Sequence, residues 1–178
     1  MVKKIVQKED KVLRKEAKLI TVNEIKTVKV QKILKEMKSA LKSQGDGVAI
    51  AAPQIGYSLS IFVVSGKIFD EDFLSEDRVK FENKKEYPAD LIFINPVISK
   101  LSREKDWVPE GCLSVRWLYG KTYRSKKATV TAYDENGKKF TRGASGLLAQ
   151  IFQHETDHLK GILFIDHAED IKEEKPPK

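Results

Sequence analysis

Leu147-Leu148-Ala149-Gln150-Ile151-Phe152-Gln153-His154-Glu155-Thr156-Asp157-His158 is the stretch around which the rest of this chain must be arranged. Leu147, Ile151, His154 and His158 recur at spacings of four, three and four, the period of one helical face. The helix is therefore predicted to carry both imidazoles on the same inward stripe as its aliphatic residues. Histidines four apart can share one metal ion, and Glu155 between them would lie beside the metal's open position, where it can move protons to and from a water. The competing reading is an amphipathic helix with two core histidines.

Glu110-Gly111-Cys112-Leu113-Ser114 holds the only cysteine of the chain. A lone cysteine is often just a small buried hydrophobe. With the two histidines, however, it completes a Cys-His-His set, and three protein ligands plus water is what a hydrolytic metal site requires. A structural zinc site would want a fourth protein ligand. The remaining histidine, His167, is no obvious candidate, so an open site with Cys112, His154 and His158 as ligands and Glu155 as proton carrier is the preferred reading.

Elements that could bury this helix lie on its N-terminal side. A helix is predicted from Val22 to Ser43, with Val30, Ile33, Leu34, Met37 and Leu41 as its apolar stripe and lysines opposite. Ser60–Val64 and Leu91–Pro96 read as strands, the second closed by its proline. Ala128–Tyr133 and Lys139–Thr141 flank Asp134-Glu135-Asn136-Gly137, where Asn-Gly signals a tight hairpin turn. Ser145 is a candidate cap for the metal helix. Residues 67–89 are polar and read as a surface insertion, and residues 169–178 as a tail that frays. The expected architecture is a single α+β domain over residues 1–178, with antiparallel β-sheets packed around a central metal-binding helix, plus an N-terminal helix.

At 178 residues the chain can bury a sizeable core. One cysteine excludes an intramolecular disulfide framework and fits a reducing compartment. The basic start lacks the apolar run of a signal peptide, and no stretch is long enough to span a bilayer, so the expected location is cytoplasmic, with no membrane partner. The formal charge of +7 comes largely from lysines before residue 43, which read as a solvated helix face or as diffuse attraction toward ribosomal RNA. Nothing in the sequence suggests DNA binding.

Three segments together carry a resemblance: Gly47-Val48-Ala49-Ile50-Ala51-Ala52-Pro53-Gln54, Glu110-Gly111-Cys112-Leu113-Ser114 and Gln153-His154-Glu155-Thr156-Asp157-His158-Leu159. In this order they resemble the signature segments of peptide deformylases. The likeness extends to Leu13-Arg14 and to Gly161–Asp166. The resemblance implies hydrolysis of the formyl group from N-formylmethionyl peptides of nascent chains and one divalent metal, Fe2+ foremost, with Zn2+, Ni2+ or Co2+ able to take the same ligands. Weak ribosome association is an expectation from the lysines alone, since the short, mixed-charge tail lacks the longer basic helix of family members that dock there. The resemblance also implies that Gln54 and the Leu113 N–H meet the negative charge on the reacting carbonyl. Gly47, Val48, Ala49, Glu110, Gly111, Leu147, Gln150 and Ile151 are implied to bind substrate. Small residues at 47, 49, 51 and 52 would let a peptide lie against the backbone like an added strand.

Three departures from the family pattern stand out. Ala49 replaces a common glycine and would exclude positive φ. Gln150 replaces an apolar residue and is expected to offer its amide to a methionine thioether. Arg116-Trp117 replaces a proline-containing loop, with Arg116 reaching either the substrate backbone or the rim of the site. Two other readings are carried forward. A zinc metallopeptidase would take its third ligand from Asp166, His167 or Glu169, which leaves Cys112 unexplained. A deformylase-like domain could bind peptide without turnover.

Overall fold

The computed structural model describes residues 2–70, 73 and 87–175. Its helices are α1 (Val22–Ile25), α2 (Val28–Lys42) and α3 (Gly146–Leu159). Its strands are β1 (Ala49–Ala51), β2 (Ile61–Val64), β3 (Leu91–Leu101), β4 (Lys105–Gly111), β5 (Leu118–Ser125), β6 (Lys127–Tyr133), β7 (Lys139–Ser145) and β8 (Glu169–Glu173). They form a five-stranded sheet in the order β1-β2-β3-β6-β7 and a three-stranded sheet in the order β4-β5-β8. Every strand pairing is antiparallel. The architecture is the α+β arrangement expected from sequence.

The first sheet is apolar on both faces because a helix covers each. Ile50, Ile61, Val63, Ile92 and Ile94 point toward α2 and meet its stripe of Val30, Ile33, Leu34, Met37 and Leu41. Their alternating neighbours Ala51, Phe62, Val64 and Phe93 point the other way, onto Ala149, Ile151 and Phe152 of α3. Phe62 and Phe93 stack with centroids 4.5 Å apart, and Phe152 meets Phe93 edge-on at 5.1 Å. The far side of α3 faces the second sheet, to which the Gln153 amide is tied through both the N–H and the carbonyl of Ser125. Helix α3 is thus held between two sheets.

Several boundaries differ from expectation. The single helix over Val22–Ser43 is two helices, broken at Thr27. The Thr27 backbone is extended, and its hydroxyl donates to Glu24 O while accepting from Val30 N, so it ends one helix and caps the next. Strand β3 runs through Pro96 instead of closing there. Asn95 adopts φ 50° at a bulge and secures it by bonding both polar groups of Ile20, which lets the missing proline N–H fall where the ladder is already interrupted. In the 134–138 hairpin only Gly137 has positive φ, and the Asp134 carboxylate accepts from Asn136 N and Lys138 N. Ser145 occupies the N-cap position of α3, but its side chain makes no capping bond.

Within the stretch read as an insertion, Lys67, Ile68 and Asp70 are buried, and the Lys67 ammonium donates to Gly45 O. Residues 71–72 and 74–86 of that stretch lie outside the described residues. The segment expected to fray instead contributes β8, which pairs with β5 from Leu118↔Glu173 to Lys121↔Glu169. Its side chains are all exposed, as suits an edge strand, and it is joined to β5 by backbone pairing and by the Lys121–Asp170 ion pair at 3.4 Å. Residues 176–178 lie outside the described residues.

Candidate metal centre

The two sheets leave a cleft between β1 and β4, each the outermost strand of its sheet. It has a volume of about 420 Å³. Val48, Ala49, Leu147 and Ile151 form its apolar walls, and Cys112, His154 and Glu155 line its floor. Every site residue expected from sequence lines this cleft except His158, which lies just behind the floor with 1% exposure.

Helical spacing and the end of β4 bring the three donors together. Among the described residues, Cys112, His154 and His158 are the one group whose ligand atoms converge, all within 4.8 Å of one another. His158 Nε2 lies 3.2 Å from Cys112 Sγ, and the imidazole rings meet edge-on with centroids 4.8 Å apart. Burial holds the pKa of His158 well below its ordinary value, so its imidazole is kept in the neutral form that binds metals. Burial pushes His154 the same way, but the Cys112 sulfur and the Glu110 carboxylate outweigh it and raise its pKa. A soft sulfur beside two imidazoles suits Fe, Zn, Ni or Co, so the residues present fit a divalent transition metal.

The carboxylate of Glu110 is taken up by protein partners. It accepts from His154 Nδ1 at 2.6 Å, Thr122 Oγ1 at 2.6 Å, and Arg124 Nε and Nη2 at 3.1 and 2.7 Å. Burial alone would raise its pKa, yet the bonds from His154 and Arg124 hold it well below the usual carboxylate range. Arg124 in turn reaches Asp157 Oδ2 at 2.6 Å, which ties α3 to β5. With Nδ1 engaged by a carboxylate, His154 keeps its tautomer and aims Nε2 at the donor cluster. Thr122, Arg124 and Asp157 were missed from sequence. The available signal was Thr122 and Arg124 alternating with exposed residues on a strand, which marks a polar inner face.

Glu155 is 3% exposed, and its Oε2, like His158 Nδ1, is buried without a hydrogen-bond partner. Burial pushes its pKa up to about 7, where a carboxyl group can both take and release a proton. Gln54 is oriented by a donor that admits one arrangement. The Ala51 N–H points at its Oε1 at 2.8 Å, which turns the amide nitrogen toward Ser114 Oγ at 3.2 Å and Cys112 Sγ at 3.5 Å. Gly111 lies beneath the Tyr119 ring, where a Cβ would approach within 2.7 Å.

The structure bears on two of the departures from the family pattern. Ala49 lies in β1 with no positive φ, so its methyl costs the backbone nothing. Gln150 lines the cleft, but its amide nitrogen donates to Pro109 O at 2.8 Å and Glu110 Oε2 at 3.3 Å, which leaves no free N–H for a thioether. Arg116, left open between two roles, sits at the rim. It bonds both Asp46 oxygens and Gln44 Oε1 and lies over the Trp117 ring, bridging the loops on either side. As for a downstream metal ligand, Asp166 is bonded to Arg14 and Leu163 N, and His167 lies 3.4 Å from Asp157. None joins the donor cluster among the described residues.

Comparison with known proteins matches residues 2–174 to the family described as polypeptide deformylase. The chain is similar to peptide deformylase 2 of Clostridium acetobutylicum, 39% identical over 158 residues that cover 89% of each chain. It is also similar to the crystal structure of peptide deformylase from Thermotoga maritima, with a TM-score of 0.78, 30% identity, and coverage of 94% of this chain and 98% of that one. The Met-Ala-Ser-bound class I type b peptide deformylase of Acinetobacter baumannii matches with a TM-score of 0.78 and 26% identity, over 94% of this chain and 98% of the other.

Proposed function

The chain belongs to the polypeptide deformylase family, and we propose that it is a metal-dependent hydrolase that releases formate from the N-terminal formylmethionine of newly made proteins. One observation carries this reading. A Cys-His-His donor set and a buried, unpartnered glutamate oxygen meet at and just behind the floor of a cleft bounded by two edge strands. An extended peptide fits such a cleft by bonding to the strand edges, with its first side chain among Val48, Leu147 and Ile151.

Cys112, His154 and His158 would hold the metal, which when bound acts as a Lewis acid and makes water a stronger acid. Glu155 takes the proton from the attacking water and returns it to the departing amine. The Gln54 amide and the Leu113 N–H meet the charge that develops on the formyl oxygen. Glu110 keeps His154 aimed. Ferrous iron is the proposed native metal. The reading is completed by a cytoplasmic location and by weak association with ribosomes, for which the exposed Lys29, Lys32, Lys35 and Lys42 of α2 supply positive charge. No helix among the described residues is long and apolar enough to cross a membrane. The test is anaerobic incubation of iron-loaded protein with formyl-Met-Ala-Ser. Stoichiometric formate is expected, and its absence together with cleavage of an internal peptide bond would favour a peptidase instead.

Two smaller effects follow. Glu110→Gln should weaken metal affinity by about 10–100-fold, the range for a lost hydrogen-bond partner of a ligand histidine, as read by competition with a chelator. An unchanged affinity would mean that His154 is aimed by its helix alone. Gln150→Ile should leave the kcat/KM ratio of formyl-Met to formyl-norleucine peptides unchanged, because the amide N–H groups are spent on Pro109 and Glu110. A ratio that moves toward norleucine would show that the amide turns to the substrate.

A further inference from the structure

We propose that Val6-Gln7, in the segment before the first 3-10 turn, is a positioning strap that fixes the two groups assigned to meet the formyl oxygen. The idea rests on the assignment of Gln54 and the Leu113 N–H to that role. The Gln7 amide is used at both ends: Nε2 donates to Leu113 O at 3.1 Å, and Oε1 accepts from Arg116 N at 3.3 Å. One residue earlier, the Val6 N–H donates to Gln54 O at 2.9 Å. Two adjacent residues thus hold the backbone of both donors, which are 59 positions apart from one another in sequence, and reach Leu113 across a separation of 106 residues.

The need for a strap follows from local structure. Residues 112–117 connect β4 to β5 without belonging to either strand, and local bonds such as Val115 N to Cys112 O and Ser114 N to Cys112 Sγ order them internally. A donor on such a loop drifts unless something outside the loop fixes it, and catalysis needs donors already in place. Gln7 grips this loop at both ends of its central turn. The strap is itself anchored, since Ile5 is buried in the cluster that holds Ala52, Ile55 and Leu113, and Val6 packs, as Cys112 does, on the cluster that holds Val115. Gln7 does not line the cleft, so it acts through Leu113 and not on the substrate.

The experiment uses full-length, metal-loaded protein. Gln7→Leu removes both bonds at similar size. Gln7→Glu keeps an acceptor for Arg116 N–H but loses the donor to Leu113 O, and it serves the same comparison should Gln7→Leu not fold. Rates are taken per bound metal with formyl-Met-Ala-Ser, beside amide hydrogen exchange of residues 112–117 and a parallel Gln54→Ala variant. For both Gln7 variants, kcat is expected to fall about 10-fold, short of the roughly 10²-fold that a 1 Å misplacement costs, with KM and metal content unchanged and exchange of the loop amides accelerated. Unchanged kcat per metal, whether or not the melting temperature falls, would overturn the strap, since a merely structural residue lowers stability without touching turnover. If Gln54→Ala lowers kcat and the Gln7 variants do not, the strap alone fails. If Gln54→Ala leaves kcat intact, the donor assignment fails first and takes the strap with it.

Discussion

Glu155→Gln is expected to keep its metal and lose on the order of 10²–10⁴-fold in kcat, the usual contribution of a general acid–base group. The side chain is buried on α3 beside the donor cluster, with one oxygen free of protein partners. Burial also holds its pKa up to about 7, close to the value at which proton pick-up and release are equally easy. Glutamine has the same shape and can still hold a water, but it cannot accept its proton. The substitution therefore separates proton transfer from metal binding. Metal analysis and turnover on the same sample decide the matter: if metal and activity disappear together, Glu155 is a ligand or a structural group.

His158→Ala is expected to abolish turnover by removing the metal. His158 is the most buried of the three donors, its imidazole is kept neutral by burial, and its Nε2 faces Cys112 Sγ at 3.2 Å. Two remaining ligands cannot complete the three-ligand set that a hydrolytic site uses. A second readout does not depend on activity. Metal added to the unsubstituted protein should raise its melting temperature, since a ligand at about 1,000 times its Kd stabilises the folded state by roughly 4 kcal/mol. That shift should vanish in the variant. Full metal content with unchanged turnover would remove His158 from the ligand set.

Much of the fold was legible because its signals are local and periodic. The α2 stripe, the apolar runs of β2 and β3, and the 134–138 hairpin were readable, since helices cover both faces of the first sheet and leave it strongly hydrophobic. The second sheet was not. β4 and β5 carry Val108, Glu110, Thr122 and Arg124 on their inner face, because that face meets the donor cluster's polar support and not an apolar core. Strand β8 gave no signal at all, because its side chains are all exposed and its order comes from pairing with β5.

At the site, sequence by itself determined the donor types and one geometric fact, that His154 and His158 share a helical face with Glu155 between them. It also singled out Cys112 as the third donor. Tertiary structure alone decided what each polar group does once surrounded. It made the Glu110 carboxylate the partner of His154, spent the Gln150 amide on β4, and set Gln7 against Leu113 and Arg116. The physical reason is range. A helical period fixes neighbours four residues apart, whereas a hydrogen bond across more than a hundred residues exists only after two sheets have closed around the helix.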